Sequence, residues 1–111
     1  MVYAAKIEIG WFDEWYTGSS ACEIISKVEA MQDFNCLMYQ GRWVGTAADQ
    51  PELDKLEDFL NDYYDGSLKI SDLEKLHICL SIGDFICHKV VKGSKKAVEQ
   101  AMAEYDANSE E

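Results

Sequence analysis

The stretch KLHICLSIGDFICHKVVKG, residues 75–93, constrains the fold more than any other. Two apolar, β-prone runs flank Gly83-Asp84, a pair suited to a type II′ hairpin turn. Their alternation sends Ile78, Leu80, Ile82, Phe85 and Cys87 to one face. A hairpin alone is marginal in water, so this one needs further strands and a cover for that face. The rest of the chain can supply both. Tyr3, Ala5, Ile7, Ile9 and Trp11 alternate with polar residues such as Lys6 and Glu8, which reads as a half-buried strand. FNCLMYQGRWVGT, residues 34–46, reads as two short strands about Gln40-Gly41.

Between these runs the apolar period changes from two to about 3.6. After YTGSS, Ser20 and Glu23 form a capping-box pattern ahead of Ile24, Ile25, Val28 and Met31. Asp49 and Glu52 repeat the pattern, with Pro51 in the first turn and Gly66 as a stop. Leu53, Leu56, Leu60 and Tyr63 line that second helix, with Phe59 and Tyr64 beside them. Ser94 caps a third helix bearing Ala97, Val98, Ala101, Met102 and Tyr105 on one face. The expectation is one α+β domain over residues 1–111. It has a mainly antiparallel sheet of about five short strands and three helices packed on it. Residues 106–111, DANSEE, are expected to form a frayed acidic tail.

The formal net charge of −11 is uneven. Residues 49–74 hold nine acids and two lysines, a local net of −7. Asp54, Asp58 and Asp62 recur every four residues, one row on the face opposite the leucines, widened by Glu57 and Asp65. Like charges at this spacing destabilise a helix by about a few tenths of a kcal/mol per pair. A fold has no need of such a row. Phosphate neutralisation and adhesion to anionic membranes are excluded by this charge, whereas basic surfaces attract it.

Other chemistry is sparse. No phosphate loop, HExxH, GxSxG or EF-hand pattern is present, so no enzyme and no cofactor are expected. A turn at Gly83-Asp84 would set Cys79 opposite His88, with His77 on the same face. Two imidazoles and a thiolate are zinc donors, but the register sends Cys87 away and leaves no fourth ligand, so the hairpin is expected to be metal-free. Trp15 and Tyr16, flanked by Asp13 and Glu14, are expected in a loop between the first strand and first helix. There they would serve as partner-binding anchors. Lys89, Lys92, Lys95 and Lys96 are read as a solvated basic edge. Cys22, Cys36, Cys79 and Cys87 show no CxxC spacing, and MVYAAKIEIG lacks the pattern of a signal peptide. Mostly buried, reduced thiols in a cytoplasmic protein are expected.

Together these features suggest a non-enzymatic acidic binding protein. Asp54, Asp58, Asp62, Asp65 and Glu57, with Asp13, Glu14, Trp15 and Tyr16, would block the basic nucleic-acid-binding site of a protein effector or nuclease. Size and charge alone liken the chain to phage counter-defence inhibitors of the anti-CRISPR or antirestriction type. The alternative is an immunity protein that neutralises a cognate toxin. A plain solvated acidic face is the competing reading of the row.

Overall fold

A computed structural model describes residues 1–9, 12–30, 38–39, 42–43, 49–81 and 83–109. In chain order the elements are β1 (Val2–Ile9), β2 (Phe12–Gly18), α1 (Ala21–Glu29), β3 (Met38–Tyr39), β4 (Arg42–Trp43), α2 (Gln50–Asp65), α3 (Ile70–Glu74), β5 (His77–Leu80), β6 (Gly83–Gly93) and α4 (Lys95–Ser109). Four strands form one antiparallel sheet in the order β2-β1-β6-β5. β3 and β4 pair with each other in a separate ribbon rather than extending that sheet. The α+β class matches expectation, with four sheet strands instead of about five and four helices instead of three among the described residues.

Ala4 and Ala5 are both fully buried. Adjacent strand residues point to opposite faces, so the sheet is covered on both sides there. On one side Ala5, Ile7 and Ile9 join Ile78, Leu80, Phe85 and Cys87 in a core closed by Ile24, Ile25 and Val28 of α1, Leu56 and Phe59 of α2, and Leu73 of α3. Phe59 meets Phe85 edge-on, with ring centroids 5.5 Å apart. On the other side lies α4, whose Val98 is buried and whose Asp106 reaches Lys6 of β1 at 2.8 Å. The expected frayed tail therefore begins too early: residues 106–109 continue α4.

The local signals behind the helices are realised. The Ser20 side chain accepts the Glu23 amide at the start of α1. Asp49 accepts the Glu52 amide at the start of α2, and Gly66 ends α2 with φ 78°, a left-handed geometry that glycine adopts without a Cβ clash. Ser94 Oγ accepts the Ala97 amide ahead of α4. The short α3 carries too little periodicity to be read from sequence. Its entry is fixed by Asp72, whose carboxylate accepts the Lys69 amide.

Two expectations about strands are corrected. Residues 12–18 are not a loop but strand β2, in register with β1 from Tyr3↔Gly18 to Ile9↔Phe12. Gly83 and Asp84 are not the turn between β5 and β6 but the first residues of β6, because Leu80 pairs with Gly83 and Cys79 with Asp84. The expected register would have set buried Ile78 against Lys89. The register found sets it against Phe85, keeping the charge out of the core. The β1–β6 register also shifts between Lys6 and Ile7, which pair with Lys89 and Cys87 and leave His88 as a bulge.

Candidate functional site

The acidic face of α2 stands as the sequence implies. Asp54, Glu57, Asp58, Asp62 and Asp65 are all exposed, opposite the buried Leu56 and Phe59. One helical turn advances about 5.4 Å, so the three aspartates at i, i+4 and i+8 form a row at roughly 6 Å intervals. None of the three forms an ion pair with a described residue. Asp54 accepts a hydrogen bond from Gln50 Nε2 at 3.0 Å. Asp62 shares a shallow hollow of about 210 Å³ with Lys55, Phe59, Lys75 and His77. Lys55, the one base within α2, is already engaged by Glu52 at 2.8 Å, which raises its pKa.

Glu52 ties α2 to the sheet. One carboxylate oxygen takes the Lys55 ammonium and the other accepts the Cys79 amide at 2.6 Å. These bonds hold its pKa below the usual carboxylate value, the Lys55 bond first. The Cys79 amide belongs to β5, an edge strand, so the bond also covers an otherwise open edge.

The aromatic pair does not belong to this surface. Tyr16 is 7% exposed and part of the core. Trp15 lies on the opposite face of the sheet, where its indole Nε1–H donates to both oxygens of Asp106 at 3.0 and 3.1 Å. Its ring meets Tyr105 edge-on at 5.7 Å. Asp13 and Glu14 are exposed on β2, opposite Glu8 and Ile7 respectively. β2 and β5 are opposite edges of the sheet, about 14 Å apart at the usual strand spacing. Since α2 packs against β5, the expected continuity between acid row and aromatic anchors is lost. The aromatic that does adjoin the row is Tyr64, 46% exposed, whose ring lies 4.9 Å from that of Tyr63. At about 100° per residue, Tyr64 projects roughly 20° from Glu57, a neighbour that helical geometry could have revealed.

The second cluster sits on the β5–β6 hairpin. Its members differ from those expected: His77, Cys79 and Asp84 place a ligand atom each within 4.8 Å of one another. His88 is absent from it, because the bulge turns it to Glu8, with Nε2 and Oε1 2.8 Å apart. His77 Nε2 lies 3.2 Å from Asp84 Oδ2. Desolvation first, then the carboxylates of Glu52 and Asp84, raise the Cys79 pKa. Of the described thiols, Cys87 is buried, with its pKa pushed up to about 11 by burial. Cys22 is half-buried and Cys79 exposed, so the expectation of mostly buried thiols fails at Cys79. Cys36 lies outside the described residues.

The lysines near the β6–α4 junction are exposed, as expected of a solvated edge. Lys95 joins Glu23, Lys27 and Glu99 around a cavity of about 470 Å³ with Val2, Val98 and Met102 in its wall. Its mixed charges select no ligand class. No described helix is long and apolar enough to cross a membrane. No protein-family model, curated protein or solved structure matches this chain.

Proposed function

We propose that this protein is an inhibitor that docks the outer face of α2 into the basic, nucleic-acid-binding site of a cytoplasmic protein effector. Asp54, Asp58 and Asp62 would stand in for backbone phosphates, with Glu57 and Asp65 at the margins and Tyr64 as the adjoining aromatic contact. The observation that carries this reading is the exposed aspartate row with no ion pair to any described residue, on a helix capped at both ends and tied to the sheet by Glu52. A rigid row loses little entropy on docking, and complementary charge accelerates encounter. The proposed interface is confined to α2 and so leaves out Trp15, Tyr16, Asp13 and Glu14.

The test is competitive capture from a host lysate with the wild type and an Asp54→Asn/Asp58→Asn/Asp62→Asn variant as baits. The expected result is a nucleic-acid-binding protein held by the wild type, released by added duplex, and not held by the variant. Capture that is equal for both baits, or indifferent to added duplex, refutes the proposal.

A further inference from the structure

His77, Cys79 and Asp84 combine the three donor types that zinc accepts, on one exposed corner of the hairpin. Cys79 and Asp84 are direct cross-strand partners, which brings their β-carbons to about 5 Å. His77 precedes Cys79 by two residues, so it points to the same face. Their ligand atoms already lie within 4.8 Å of one another. Tetrahedral zinc, with bonds of about 2.0 to 2.3 Å, asks for donor separations near 3.5 Å. Exposed side chains close such a gap by rotation, with the backbone held in register by β6.

We propose that His77, Cys79 and Asp84 form a zinc-binding site with three protein ligands and an open fourth position. The donor set of imidazole, thiolate and carboxylate suits zinc and disfavours the hard magnesium and calcium ions. Binding replaces the Cys79 thiol proton with the metal, and that proton is released to solvent. Glu52 is outside the set of ligand atoms that lie within 4.8 Å of one another. It holds the Cys79 backbone instead, as a positioning residue. The fourth position faces solvent, because His77 and Cys79 alternate with the buried Ile78 and Leu80. Water or a donor from another molecule completes it. The site takes no ligand from the acid row, so either proposal survives failure of the other.

Metal-free, reduced protein titrated with zinc against a chromophoric chelator tests this directly, with cobalt as a spectroscopic substitute. One zinc per chain is expected, with a thiolate-to-cobalt charge-transfer band. Cys79→Ser should abolish the band. His77→Ala and Asp84→Asn should each weaken zinc binding by at least about tenfold, the loss typical of even an outer-shell partner. His88→Ala should bind as the wild type does. All these positions are at the surface, and circular dichroism checks that each variant is folded. Absence of stoichiometric zinc, cobalt binding without the thiolate band, or an equal loss in His88→Ala overturns the assignment.

Discussion

Trp15 is a structural clamp between the sheet and α4. Its indole donates to Asp106 and packs on Tyr105, and the Lys6 ammonium lies 5.8 Å from its ring centroid. Trp15→Ala should cost about 2 kcal/mol in urea unfolding, less than a full core truncation because the ring is only part-buried. The same cluster is pH-sensitive. Hydrogen bonds from Lys6, then Trp15, hold the Asp106 pKa below its ordinary 3.8. The unfolded state therefore binds the proton more readily, so the contribution is present above pH 3.8 and fades as pH falls below it. Wild type should exceed Asp106→Asn in stability at neutral pH, and the gap should narrow in acid. A gap that widened in acid would contradict this assignment. The role of Trp15 was hidden in the sequence for a physical reason. Trp15 and Tyr16 face opposite sides of β2, and both sides are covered, so neither shows the apolar–polar contrast that marks a half-buried strand. The signal that could have found β2 is Gly10 followed by the aromatic and β-branched residues Trp11, Phe12, Trp15, Tyr16 and Thr17, a β-prone run bounded by glycine.

Elements with local punctuation were the legible ones. α1, α2 and α4 begin at the Ser20, Asp49 and Ser94 side chains that the sequence offered as caps. Gly66 illustrates how local this information is. At φ 78°, with no atom of the described residues beyond its chain neighbours within 4 Å of the place a Cβ would occupy, its requirement is purely conformational. Gly66→Ala should therefore lower stability by about 1 kcal/mol without disturbing packing, read as a shifted denaturant midpoint with unchanged m-value. Register was less legible than element type. The expected β5–β6 pairing was displaced from the observed one by four residues along the partner strand. An even displacement preserves which face each side chain takes, so Ile78, Leu80, Phe85 and Cys87 were still assigned to the core. Cross-strand neighbours have no such protection. The metal-ligand candidates changed from His88 to Asp84 for that reason, and the bulge that removes His88 depends on pairing with β1, a long-range partner.

At the scale of the whole molecule the charge is divided by the fold. The core holds no charged residue among those described, and Asp54, Glu57, Asp58, Asp62 and Asp65 of α2 are all exposed. That separation makes the aspartate row testable without touching packing. Asp54→Asn/Asp58→Asn/Asp62→Asn removes three of the eleven net negative charges with little change of shape. Relief of like-charge repulsion along α2 should leave stability level or raise it by up to about 1 kcal/mol. Association with a basic partner should move the other way. It should slow by about tenfold at low salt, and its salt dependence should flatten, because long-range attraction is what the variant loses. A merely solvated face gives the stability gain alone. A structural face gives a loss of stability instead. Thermal melts and association rates at two salt concentrations separate the three outcomes, and only a surface selected for binding at the expense of stability yields stronger folding together with slower capture.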